Sequence, residues 1–169
     1  LALRIACLKD SRERIRKLIG DLNFAAEDIR NSRAVFCSAM NPDPELTKWL
    51  IVESGIDAEY IISGKALARA CMAPSPDLAK WLIDAFGIGV DHLRSNNNHV
   101  LRVVCGMGKQ EVVEWLVEKF NLTAADVRAG GALHFARKHV ELANWLKAKF
   151  GFTEADFEFS FELASGGSE

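Results

Sequence analysis

The chain has 169 residues, of which 49% are hydrophobic and 26% charged, and a formal net charge of −2. This apolar content supports a continuous core and excludes disorder. The balanced charge excludes a global basic field for nucleic acid, and apolar runs broken by charges within one or two helical turns exclude a membrane-spanning helix.

The chain opens on LALRIACLKD, with no apolar signal segment before it, so a fragment of a longer intracellular, cytoplasmic protein is expected. Ala2 to Cys7 reads as a short helix, and the related segments AVFCSA, ALARAC, VLRVVC and ALHFAR start at Ala34, Ala66, Val100 and Ala132. In them the apolar residues stand at i, i+3 and i+4, as in Leu67, Ala70 and Cys71 or Leu101, Val104 and Cys105, which is one helical stripe. Small residues at the last two positions allow close helix approach.

A second, longer helix follows each short one. Its copies are ERIRKLIGDL from Glu13, ELTKWLIVES from Glu45, DLAKWLIDAF from Asp77, EVVEWLVEKF from Glu111 and ELANWLKAKF from Glu141. Trp-Leu pairs at 49–50, 81–82, 115–116 and 145–146 are separated by 32, 34 and 30 residues and use all four tryptophans. A period of this size marks stacked helical repeats, so the rings are expected at the seams between repeats. The turns Asn41-Pro42-Asp43-Pro44 and Ala73-Pro74-Ser75-Pro76 place Asp43 and Ser75 as N-caps, with proline at the first helical position. The corresponding turn in the fourth repeat is Gly106-Met107-Gly108.

Connectors return the chain as GIGVDHLRSNN from Gly87, NLTAADVRAGG from Asn121 and GFTEADFEFSF from Gly151. Thr123 with Asp126, and Thr153 with Asp156, match a capping pattern that predicts one short helical turn in each connector. Asn96–Asn98 and Gly130–Gly131 read as loops. The predicted fold is all-α, a solenoid of about five stacked helix-turn-helix repeats over residues 1–157. The repeats are approximately 1–30, 31–62, 63–94, 95–128 and 129–157. Residues 158–169 form a tail, in which Phe159 and Phe161 continue the alternation begun at Phe157 and form either a lid or a strand offered to a partner.

The four cysteines, Cys7, Cys37, Cys71 and Cys105, form no CxxC pair, and three of them share one slot per repeat. They read as buried free thiols, with no metal site and no disulfide. Cys37 stands two residues before the small-residue slot held by Ala39, with nothing nearby to serve as its base. No catalytic triad, paired-carboxylate motif or phosphate loop is visible, so no catalytic residue, cofactor or metal is expected. Lys9–Lys17 holds five basic and two acidic residues, and Glu154–Glu169 holds five acidic and no basic ones. These ends read as solvated caps, with self-association possible but not favoured.

The fourth repeat, V-L-R-V-V-C-G-M-G-K-Q-E-V-V-E-W-L, resembles the ankyrin pattern P-L-H-x-A-A-x-x-G-H-x-E-V-V-K-L-L. Leu101, Gly108, Glu111, Val112, Val113 and Leu116 match outright, while Arg102 and Lys109 replace the two histidines. The last repeat restores Ala132-Leu133-His134 with Ala136, then lacks two residues in its turn. The long connectors depart from the family's G-A-D-V-N segment, so its β-hairpin fingers are expected to be reduced or absent. The resemblance implies a non-catalytic module that binds a protein or peptide on its concave face, with no nucleic acid and no membrane. The alternatives are a structural spacer or oligomerising array, or a regulatory domain masking a catalytic domain of a longer protein. In the family, the slots after the first helix face the concave side. They hold Lys9, Met40, Asn41, Met72, Ala73 and Met107, which include all three methionines of the chain. Arg4, Arg102 and His134 occupy the family's histidine slot and are expected to be structural or surface residues. Arg69 is displaced from that slot by one and expected to be exposed.

Overall fold

The structure, a computed structural model, describes residues 2–63, 66–73 and 75–158. All regular elements among them are helical, which makes the chain an all-α protein. It divides into two compact units, Leu1–His92 and Leu93–Glu169. Phe157 is buried, whereas Phe159 and Phe161 lie outside the described residues.

The first unit runs through α1 (Ala2–Lys9), α2 (Arg12–Asp21), α3 (Ala26–Asn31), α4 (Ala34–Ser38), α5 (Pro44–Glu53), α6 (Ala58–Ser63), α7 (Ala66–Met72) and α8 (Asp77–Ala85). The order is short helix, longer helix, connector helix. The boundary falls inside α9 (Val90–Gly106), whose helical path is broken. Ser95 is extended there, and Asn96, Asn97 and Asn98 are left-handed with φ of 51–53°. Asparagine tolerates that region because its short amide bonds locally. The stretch is therefore a connector helix, a loop and the next short helix, as the Asn run predicts. The second unit continues with α10 (Gln110–Lys119), α11 (Ala124–Arg128), α12 (Ala132–Ala136), α13 (Val140–Phe150) and a 3-10 turn over Glu154–Phe157.

Packing in the first unit joins like to like: α1 lies on α4, α4 on α7, and α5 on α8. Small residues make this possible, since Ala34, Ala66, Ala70 and Cys71 are buried. The longer helices bury one residue every turn, as in Leu46 with Leu50, Leu78 with Leu82, Val112 with Leu116 and Leu142 with Leu146. Full burial of each leucine stabilises by about 1.5–3 kcal/mol, so this stripe outweighs any surface pair as a source of stability. All four cysteines are buried and free, and desolvation pushes the thiols of Cys7, Cys71 and Cys105 up to about 12.

Each tryptophan precedes a stripe leucine and is half-buried beside it. Within the first unit the rings sit at seams. The Arg16 guanidinium of α2 lies 5.3 Å from the centre of Trp49 on α5, and the Lys48 ammonium lies 5.6 Å from the centre of Trp81 on α8. Trp49 also donates its indole N–H to Glu53 Oε1 at 3.1 Å.

The caps follow the turn chemistry. Asp43 Oδ1 accepts from Glu45 N at 3.0 Å, with Pro44 at the first helical position. Ser75 Oγ accepts from Asp77 N at 3.2 Å, and Pro76 already has helical angles. Longer helices end on a left-handed residue at Asn23, Gly55, Gly87, Asn121 and Gly151. The next residue is apolar, and its N–H returns to the helix in the bonds Phe24 to Ile19, Ile56 to Ile51, Ile88 to Ile83 and Leu122 to Val117. That recurring stop turns each chain into a helical connector, where the family resemblance would place a β-hairpin.

Candidate functional site

The six slots read from the sequence follow the short helices, and the structure separates them into two kinds. Met107 is 54% exposed, Lys9 is exposed at the end of α1, and Met40 and Met72 are half-buried. Asn41 and Ala73 are buried. Asn41 Nδ2 donates to the carbonyls of Cys7 and Asp10, both at 3.1 Å, and its Oδ1 accepts from Asp43 N at 2.9 Å. The whole amide is engaged in tying the first turn to the second, so it has nothing left to offer a partner. Ala73 is closed in by its neighbours. Both residues line a pocket of about 140 Å³ between the second and third turns, together with Ala39, Pro42, Pro44 and Leu78. Its wall is apolar, and it suits a small aliphatic side chain more than an ionic group.

The connectors carry most of the remaining polar chemistry. In the first unit Tyr60 Oη donates to the Arg30 carbonyl at 2.6 Å, and Arg30 donates to the Ser54 carbonyl at 3.2 Å. Burial raises the Tyr60 phenol above its ordinary range. In the second unit Arg94 meets Asp126 with two bonds, Nε to Oδ1 at 2.7 Å and a terminal nitrogen to Oδ2 at 3.2 Å. Asp126 also accepts from Thr123 N at 2.9 Å and from Thr123 Oγ1 at 2.8 Å, which completes the predicted capping box. These partners cover a carboxylate that lies only just below the surface. The Arg94 bond and then the Thr123 N–H hold it well below the usual carboxylate range. Asp156 repeats the arrangement on Thr153 and Arg128 and is lowered by the Thr153 N–H first and Arg128 second. Asn98 Nδ2 donates to the carbonyls of Asp126 and Ala129 at 3.0 and 3.3 Å. These carboxylates are architectural in their contacts, since the partners named belong to their own connector or to a neighbouring one.

The basic residues of the short helices behave less as expected. Arg69 is not exposed. Its guanidinium lies 4.6 Å from the centre of the Phe36 ring, and its Nε is buried without a hydrogen-bond acceptor. Stacking on a ring replaces hydration for a weakly hydrated guanidinium, which makes this burial tolerable. Arg102 does the same over Phe135 at 6.0 Å, whereas Arg4 is exposed. Of the histidines read as scattered, His92 Nδ1 accepts from Gly89 N at 3.1 Å and His139 Nε2 donates to the Gly106 carbonyl at 2.9 Å.

Phe135 is the residue that sequence reasoning passed over. It is 45% exposed on α12, and it lies beside Gly106 at the end of α9. The signal was present as an aromatic in the column that holds Ile5, Cys37, Arg69 and Val103 in the other short helices.

Among the described residues, no group of three or more His, Cys, Asp or Glu is placed to hold a metal ion, and no helix is long and apolar enough to cross a membrane. Compared with known proteins, the chain matches no family model, no curated protein and no solved structure.

Proposed function

We propose that this protein is a non-catalytic recognition module of ankyrin-like type, a solenoid of five helix-pair repeats that binds a protein or peptide through the turns following its short helices. The observation that carries this reading is the division of labour among side chains. The connectors, caps and tryptophan seams engage the strongest polar groups internally, as in Asp126, Asp156 and Asn41. The turn slots instead keep methionines at least partly accessible at 40, 72 and 107. Methionine is flexible and polarizable, and a row of such side chains adapts to apolar anchors of a partner. A repeat that cannot bury its own apolar face must stack on a neighbour, which leaves an extended face for binding. The compartment proposed for it is intracellular, where buried free thiols stay reduced.

Affinity capture from a cell lysate tests this. The chain is compared with a variant carrying Met40→Glu, Met72→Glu and Met107→Glu, whose helicity and thermal midpoint are checked first. A partner retained by the original chain and reduced at least tenfold in a folded variant is the expected result. Equal capture by both would contradict binding through these slots and favour the spacer or masking role.

A further inference from the structure

The second unit carries an uncompensated cationic and aromatic face on its short helices and turns. No acidic residue occurs in 100–110 or in 132–140, whereas these stretches hold Arg102, Lys109, Arg137 and Lys138. The matching stretch of the second repeat, 34–44, holds one acid, Asp43, and no Lys or Arg. The first and third repeats share the character in part, since 2–12 holds Arg4, Lys9 and Arg12 against Asp10, and 66–76 holds Arg69 and no acid. The two stretches meet in space. His139 bonds the Gly106 carbonyl, its ring packs against Gly108, and Gly106 lies against Phe135. Arg102 lies over the Phe135 ring with its Nε buried and lacking an acceptor. Among the described residues Arg102, Lys109 and Lys138 form no ion pair, in contrast to Arg94 and Arg128 of the same unit. The nearest carboxylates along the chain, Glu111 and Glu141, sit in the first turns of α10 and α13.

Resting on the recognition reading above, we propose that this face binds a peptide segment in which an apolar side chain is flanked by carboxylates. The apolar side chain seats on Phe135 and Met107, which are 45% and 54% exposed. The carboxylates meet Arg102, Lys109 and Lys138. An arginine already stacked on a ring is held in place, so accepting a carboxylate costs little further ordering. Charge complementarity decides the partner class, since a basic segment would be repelled and a neutral one would leave the cations unpaired. Nucleic acid is the weaker occupant. Three cations give few phosphate contacts, and the net charge of −2 opposes a polyanion elsewhere on the surface.

The test is a selection of the full 169-residue chain against a random peptide library displayed on phage, followed by titration of the enriched peptides by fluorescence anisotropy. The expected pool is enriched in Asp and Glu around an aromatic or aliphatic residue. Its binding falls at least tenfold in Phe135→Ser and in the double variant Arg102→Gln with Lys138→Glu, and it weakens as salt rises. All these side chains are at least partly exposed, so thermal midpoints are expected to stay within a few degrees of the original. Should either variant unfold, Lys138→Glu alone, at an exposed position, carries the comparison. Three outcomes overturn the proposal: no enrichment, an enriched pool that is not acidic, or affinities unchanged in the variants. Tighter binding of a labelled single-stranded oligonucleotide, competing with the peptides, overturns it in favour of nucleic acid. Lysate capture that depends on the methionines but is not competed by the acidic peptides would preserve the recognition reading while removing this one.

Discussion

Gly130→Ala is expected to be among the most damaging single substitutions in this chain. Gly130 is left-handed with φ +70°, and a Cβ there would run into the Asn97 carbonyl. The obstacle is backbone, so no rotamer change relieves it. The left-handed conformation alone costs alanine about 1–2 kcal/mol. Displacing the loop also strains the Asn98 bonds to Asp126 and Ala129, and each such bond is worth about 1 kcal/mol. A total of about 3–4 kcal/mol corresponds to a fall in thermal midpoint of roughly 10 °C for a chain of this size. Gly20 supplies the control. It lies inside α2 with nothing within 4 Å of an added Cβ, so Gly20→Ala should be neutral or stabilise by up to about 1 kcal/mol. Thermal unfolding followed by circular dichroism measures both. Equal midpoints for the two variants would show that the Asn97–Gly130 approach is not formed.

Asp126→Ala is expected to cost about 2–3 kcal/mol. It removes the carboxylate half of the Thr123–Asp126 capping box, worth about 1 kcal/mol, and leaves the Thr123 N–H and one face of Arg94 without an acceptor. Arg94 is about half exposed and can turn to water, so the loss is smaller than for a buried pair. The same carboxylate gives a signature in pH. Its folded-state value lies below the unfolded one of about 4, so its contribution is fully present above roughly pH 5 and is lost as pH falls toward the folded value. Asp126→Asn keeps the shape and does not titrate. The gap in urea midpoint between the original chain and Asp126→Asn should therefore narrow between pH 7 and pH 3. A gap of constant size across that range would mean that Asp126 carries no shifted charge in the folded state.

Both predictions concern loops that the sequence announced only in part. The Asn96–Asn98 run and Gly130–Gly131 mark backbone that leaves the helical region, because only these residue types enter the left-handed region cheaply. Nothing in the sequence says that the two loops touch, since residues 97 and 130 belong to different repeats. The Thr123–Asp126 box was legible because capping is local and three residues apart. Its Arg94 partner was not, because the pairing bridges residues 32 apart and depends on how one connector lies against the next. The tryptophan seams were legible as a period, and the cations over Trp49 and Trp81 stand one residue before the tryptophan position of the preceding repeat.

The environment of single turn residues was less legible, and Asn41 shows why. An asparagine after a short helix looks solvent-facing in a one-dimensional pattern. Its amide reaches carbonyls 34 and 31 residues earlier, and that reach is visible only in three dimensions. Arg69 failed in the same sense, because charge suggests exposure while the Phe36 ring of the preceding repeat offers a stacking place. The left-handed helix stops at Asn23, Gly55, Gly87, Asn121 and Gly151 were available as one column of Gly and Asn, and the connectors were read around them instead.

Photo-methionine incorporation tests the central claim most directly. The chain has three methionines, and all three stand in the turn slots at 40, 72 and 107. Replacing methionine with its photoreactive analogue thus places cross-linkers on the proposed surface and nowhere else in the chain. The chain is irradiated in lysate, and cross-linked peptides are identified by mass spectrometry. The expected result is a protein partner joined to at least one of Met40, Met72 and Met107. A partner that co-purifies with the chain yet never cross-links to a methionine would contradict recognition through this surface.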